Sequence, residues 1–210
     1  MTYLFDFDGT LVDSMPIYID TMIQILKDYD IDYPEDIVKI ITPLGTQGTA
    51  DYYLELGVPL SKEEIIERMG RGMVEAYFTQ IPGKDGVIET LQVLKERGDS
   101  LNVLTASPHI TLDACLKRLG IFDWFDNVWS CDDFSTTKAD PEIYKQAAGK
   151  MGVPVESVLF LDDNINAIRT AQIAGMQVCG VYDASSAEYT EEMKQVSGRY
   201  IENFRELISK

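Results

Sequence analysis

The 210-residue chain sets 18 Lys and Arg against 35 Asp and Glu, a formal net charge of −17, and contains a single histidine. That balance excludes DNA, RNA and anionic membrane surfaces as partners, since their capture needs clustered cations, and the lone His109 excludes a multi-histidine zinc or iron centre. With 45% hydrophobic and 25% charged residues the chain is globular, sized for one domain or for a core with a small second lobe.

From the N-terminus, residues 3–7 form an apolar run that predicts a buried strand, and Asp6-Phe7-Asp8-Gly9-Thr10 closes it with a tight turn at Gly9. No basic stretch leads into a long apolar one, and no window approaches about 18 uninterrupted apolar residues. Cys115, Cys131 and Cys179 form no CxxC and sit in apolar settings, which predicts buried, reduced thiols. The expectation is a soluble, cytoplasmic protein.

From about 13 to 80 the pattern is helical. Met15, Ile19, Met22, Ile23 and Leu26 share one helical face, and Ser61-Lys62-Glu63-Glu64 is a capping box opening a helix that carries Ile65, Ile66, Met69, Met73 and Tyr77. Met15-Pro16 and Ile81-Pro82-Gly83 bound this stretch, so residues 13–81 are predicted as a lobe inserted into a core of 1–12 and 82–210.

Strand and helix then alternate. A helix with Val87, Leu91 and Leu94 ends at Lys95-Glu96-Arg97-Gly98, and a strand follows at 101–104. Ser107-Pro108 reads as an N-cap and first helical residue, with Gly120 as the stop. A strand at 128–131 precedes a helix opened by Asp140-Pro141 and closed by Gly152. Strands at 158–161 and 177–182 flank a helix starting near Ile165. This order predicts an α/β fold, a doubly wound parallel sheet whose carboxyl edge is where ligands bind.

That edge collects reactive side chains. Asp6 and Asp8, two residues apart at a strand end, point to one face and call for a cation or proton between them; read alone they are an acidic turn. Thr105, Ala106 and Ser107 end another strand where helix amides face outward, although Ser107 alone reads as a cap. Lys138 lies in the loop before the Asp140 helix, and Asp162-Asp163-Asn164 ends a further strand, with Asn164 a sufficient cap by itself. Carboxylates from two strands, a hydroxyl and a Lys make a Mg²⁺ site beside a phosphate seat. Asp6, Asp8 and Asp163 offer carboxylate or carbonyl oxygens, and Thr105 and Lys138 suit phosphate oxygens.

These four segments, in this order, resemble the haloacid dehalogenase-like (HAD) superfamily of phosphohydrolases, in its C1-capped subfamily I and its phosphoglycolate phosphatase-like and β-phosphoglucomutase-like branch. The likeness rests on DFDGT, the Thr105 strand end, Lys138, and LDDN followed by the AQIAG run at 171–175, and it covers essentially the whole chain. It implies a Rossmann-like core with a helical cap, Mg²⁺ as cofactor, and a small phosphorylated metabolite as substrate, with no obligate protein partner. It further implies that Asp6 attacks phosphorus, that Asp8 serves as acid and then base, and that Lys138, Thr105 and Ala106 hold the phosphoryl group. The fourth motif of the family often reads Gly-Asp with another acid a few residues on. Here Asp162 replaces that Gly and Ala167 stands in the place of the second acid, so Asp163 is the preferred metal ligand and Asp162 the substitute second carboxylate.

Within the superfamily, Asp8 counts against a dehalogenase, and Lys27, Lys39 and Lys62 lack the context of a Schiff-base lysine for phosphonate hydrolysis. The main expectation is a phosphatase, with a sugar phosphomutase as its rival; Thr10, where such mutases commonly carry an apolar residue, favours hydrolysis. A phosphoacceptor signalling module differs in motif order and size. A dinucleotide-binding domain would need GxGxxG after the first strand. Gln47, Arg71 and Lys84 are candidates for leaving-group contacts, each also readable as a loop, helix-surface or turn residue, and His109 reads as an exposed first-turn residue.

Overall fold

Strand β1 (Thr2–Phe5) precedes four helices, α1 (Met15–Asp28), α2 (Ile37–Ile41), α3 (Gly45–Glu55) and α4 (Lys62–Thr79). Then come α5 (Val87–Glu96), β2 (Ser100–Thr105), α6 (His109–Arg118), β3 (Asn127–Ser130), α7 (Pro141–Met151), β4 (Val158–Asp162), α8 (Ile165–Ala174), β5 (Gln177–Val181), α9 (Thr190–Val196) and β6 (Arg199–Ile201). The computed structural model describes residues 1–41 and 44–209, and the chain divides into two compact units, Met1–Ser14 with Ile81–Lys210, and Met15–Gln80. The inserted unit is therefore slightly shorter than the predicted 13–81. Asp13 donates its amide to the Pro82 carbonyl at 3.0 Å and Ser14 is buried, which ties both segments to the core.

The larger unit is a six-stranded sheet in the order β3-β2-β1-β4-β5-β6, parallel throughout. Its predicted α/β class holds. β1 lies between β2 and β4, with Phe5 opposite Val103 on one side and Leu161 on the other. The strand order reverses at β1, so the carboxyl ends of β1 and β4 open a crevice at the topological switch point. Central strands are apolar on both faces because helices cover both. Leu4, Leu104 and Phe160 pack with Ile143, Tyr144 and Ile168 of α7 and α8, whereas Phe5 meets the rings of Phe125 and Phe204 at centroid distances of 6.4 and 6.2 Å.

Helix boundaries follow local chemistry. Asp140 accepts the Glu142 amide at 2.9 Å ahead of Pro141, and α7 stops at left-handed Gly152. The three residues of β6 escape periodicity analysis, since so short a run carries no alternation; its pairing with Cys179–Val181 is a tertiary outcome.

The smaller unit packs α1 to α4 around Met22, Ile25, Leu26, Tyr53, Ile65 and Met69. Ser61 and Glu64 form the predicted capping box. On α1 the buried stripe is Met22, Ile25 and Leu26, rotated from the predicted face so that Met15, Ile19 and Ile23 are half-buried. The Tyr53 hydroxyl donates to the Met22 carbonyl at 3.0 Å, which settles its buried oxygen. Among the described residues, no helix is long and apolar enough to cross a membrane.

Candidate active site

The site begins where β1 runs out. Asp6 continues the ladder by one bond, its amide donating to the Leu161 carbonyl at 2.9 Å. Then the Phe7 carbonyl accepts the amides of Leu11 and Val12 at 2.8 and 3.0 Å, and the chain folds back. Gly9 sits at φ +73°, and a Cβ there would lie 2.6 Å from an Asp163 carboxylate oxygen, so both backbone and space demand glycine. Wholly buried Thr10 locks the turn to β4: its hydroxyl donates to Asp163 Oδ1 at 3.2 Å and accepts the Asp163 amide at 3.1 Å.

Lys138 binds the centre together. Its ammonium lies 2.6 Å from Asp6 Oδ1 and 2.6 Å from Asp162 Oδ2. The first contact is an aligned hydrogen bond; the second is an ion-pair approach without hydrogen-bond alignment. Asp162 is fully buried and its other oxygen accepts the Asn164 amide at 2.7 Å. Tyr144 fixes the lysine's loop by donating to the Lys138 carbonyl at 3.1 Å.

Burial raises the Asp6 pKa well above the usual carboxylate range; Lys138 opposes the shift while Asp162 and Asp163 add to it. Burial works against the Lys138 charge, but Asp162 and Asp6 outweigh it and hold the ammonium well above the ordinary lysine value. Asp163 is pushed up to about 7 by burial and by the charges of Asp162 and Asp183. Asp6, Asp162 and Asp163 each place one oxygen within 4.8 Å of the others, the one such acidic group among the described residues. When all three carboxylates ionise, one lysine leaves two negative charges unmatched in a buried place, and that repulsion adds to burial in raising Asp6 and Asp163. Hard oxygen donors with that surplus fit a divalent cation such as Mg²⁺.

The Asp8 carboxylate has a different partner, and of the two oxygens offered for the cation its carbonyl is the one that remains. The carboxylate is not part of the trio and accepts a hydrogen bond from the Ser107 hydroxyl at 2.5 Å. Ser107 is accordingly not a helix cap: α6 starts at His109, Pro108 occupies the cap position, and no side chain caps it. Thr105 is buried at the end of β2, where its hydroxyl accepts the Ser107 amide at 3.1 Å. A cavity of about 340 Å³ is lined by Asp6, Asp8, Thr105, Ala106, Lys138, Asp162 and Asp163, together with Ser107, Pro108 and Asn164. The residues expected to serve catalysis, metal and phosphate thus line one cavity.

The remaining candidates go elsewhere. Lys84 does not line this cavity; its ammonium donates to the Gly9 carbonyl at 2.7 Å and to Asp183 at 2.8 Å. Gln47 and Arg71 are exposed residues of the helical unit, Arg71 standing 3.7 Å from Glu67. His109 is half-buried and bridges two acids, Asp113 at 2.9 Å and Asp133 at 2.8 Å, whose hydrogen bonds raise its pKa. Ser107 and Asp183 escaped the sequence reading, Ser107 because a serine before Pro108 looks like a cap, and Asp183 because its partner is about a hundred residues away.

Comparison with known proteins now adds the family. The family model described as haloacid dehalogenase-like hydrolase matches residues 3–181. A phosphorylated carbohydrates phosphatase of Thermotoga maritima is 26% identical over 175 residues, covering 83% of this chain and 81% of that one. Pyrophosphatase PpaX of Bacillus velezensis is 29% identical over 181 residues, covering 85% and 81%. A solved structure from Thermotoga maritima, provisionally named as a beta-phosphoglucomutase, superposes with a TM-score of 0.85 over 99% of this chain and 96% of its own, at 23% identity, which is likeness of fold. Since the family model spans most of the chain, the protein belongs to the haloacid dehalogenase-like hydrolases.

Proposed function

We propose that the protein is a Mg²⁺-dependent phosphatase that hydrolyses a small phosphorylated metabolite through an aspartyl-phosphate on Asp6. The observation that carries this reading is the seating of Asp6: a strand-end carboxylate on a cavity wall, held by Lys138 and gathered with Asp162 and Asp163. An Asp6 oxygen attacks phosphorus, the new O–P bond replacing the bond to the leaving alcohol. Asp8, in the same cavity wall, delivers a proton to that alcohol and then takes one from the water that cleaves the acyl phosphate. Ser107 orients Asp8 for both transfers. Lys138, the Thr105 hydroxyl and the backbone at Ala106 receive the phosphoryl oxygens.

Asp6 and Asp163 are the preferred cation ligands, because both Asp162 oxygens already face donors, the Asn164 amide and Lys138. Bound there, Mg²⁺ would offset the negative charge of the carboxylates and of the phosphoryl group. In this reading the helical unit is the family's C1-type cap insertion. The names of the relatives supply the first substrates to try, phosphorylated sugars and pyrophosphate. Three free cysteines suit a reducing, cytoplasmic compartment.

A sugar phosphomutase is the second reading, favoured by the fold neighbour that carries such a name. A panel of phosphate esters and pyrophosphate with Mg²⁺ separates the two. Phosphate release abolished by EDTA supports the phosphatase, whereas transfer between sugar positions without release overturns it. Asp6→Asn is expected to lose turnover by at least about a thousandfold while keeping the wild-type circular dichroism spectrum.

A further inference from the structure

We infer that Lys84, paired with Asp183, is a positioning residue that holds the Asp8-Gly9-Thr10 turn against β4, an inference that rests on the phosphatase reading of that turn. The Lys84 ammonium meets three acceptors from two parts of the chain: the Gly9 carbonyl at 2.7 Å, the Tyr182 carbonyl at 2.5 Å and Asp183 Oδ2 at 2.8 Å. An ammonium has three donors and here finds three acceptors, a match that a planar guanidinium would not reproduce. Both side chains are largely shielded, 16% exposed for Lys84 and 4% for Asp183. The other Asp183 oxygen accepts the amide and hydroxyl of Ser185 at 2.9 and 2.6 Å, so the carboxylate is held in a fixed orientation.

The backbone around Lys84 is stitched to the same turn. Its amide donates to the Leu11 carbonyl at 3.0 Å, and Val12 forms an antiparallel bridge with Gly83. Besides these backbone ties and the Ser107 hydrogen bond to Asp8, two side-chain anchors hold the turn at Gly9 and Thr10. Thr10 ties it to Asp163 at the end of β4, and Lys84 ties Gly9 to Tyr182 and Asp183 just beyond β5. Left-handed Gly9 gives the turn little conformational resistance of its own. Without the second anchor the turn would pivot on Thr10, and Asp8 would shift relative to Asp6. Displacements of about 1 Å at reacting groups cost on the order of a hundredfold in rate.

The test compares Lys84→Met, Lys84→Arg and the double variant Lys84→Met/Asp183→Asn, the last removing the buried acid that Lys84→Met leaves unpaired. Steady-state kinetics on an aryl phosphate with Mg²⁺ is read beside amide hydrogen exchange. The inference expects kcat to fall about tenfold or more in Lys84→Met and in the double variant, with KM within about twofold, and Lys84→Arg to recover part of the loss. It also expects exchange of the 9–12 amides to quicken about tenfold while β1, β2 and β4 keep their protection. Unchanged exchange at 9–12, or a folded variant with wild-type kcat, overturns the inference. If the wild-type protein hydrolyses no phosphate ester, the phosphatase reading fails and the exchange arm alone decides whether Lys84 holds the turn.

Discussion

Asp6 and Lys138 show how one residue's chemistry is set by its surroundings. An ion pair sealed from water stabilises little by itself, because desolvation consumes the attraction, yet removing one partner strands a buried charge. Lys138→Met would strand two, Asp6 and Asp162, and should lower unfolding free energy by about 3–5 kcal/mol in urea titrations. Gly9→Ala should fold less well by about 1–2 kcal/mol from its left-handed backbone. It should also weaken Mg²⁺ binding by calorimetry, because the new Cβ would displace the Asp163 carboxylate. His109 gives a cleaner readout as the sole histidine. Hydrogen bonds that its ring N–H groups donate to Asp113 and then to Asp133 raise its pKa above the ordinary 6.5. A raised value in the folded state means that its stabilising contribution is complete below the unfolded pKa and fades as pH rises through the folded one. An NMR titration should place the imidazole pKa above 6.5, and Asp133→Asn should bring it back down.

At the scale of elements, caps and strand ends decide what the side chains do. Asn164 accepts the amides of Asn166 and Ala167 at 2.9 and 3.4 Å, so Asn164→Ala should cost about 1 kcal/mol and lower the melting temperature. Ser107→Ala makes the contrasting prediction. Its hydroxyl serves Asp8 and caps nothing, so the melting temperature should hold while kcat and its pH profile change. A drop in melting temperature with unaltered kinetics would return Ser107 to a capping role. Asp140-Pro141 and Gly152 were legible because they act within their own helix. The Ser107 partner was not, since Asp8 lies 99 positions earlier and meets it only through the pairing of β1 with β2.

Across the whole molecule, the −17 charge is not evenly spread, because Asp6, Asp162 and Asp163 are drawn to one crevice. A ligand bound only by the folded state stabilises it by mass action, about 2.7 kcal/mol at a hundredfold excess over Kd. Millimolar Mg²⁺ should therefore raise the melting temperature, EDTA should reverse the gain, and Asp163→Asn should abolish it. The sequence by itself determined the α/β alternation, the helical insertion and the strand-end acids, because periodicity, caps and motif residues are local properties of the chain. Only the tertiary structure decided that Asp8 answers to Ser107, that Asp162 seats Lys138, that Lys84 grips Gly9 and that β6 completes the sheet. Each of these depends on a partner far along the chain, brought near by parallel strand pairing and burial, and no local pattern of residues encodes such a distance.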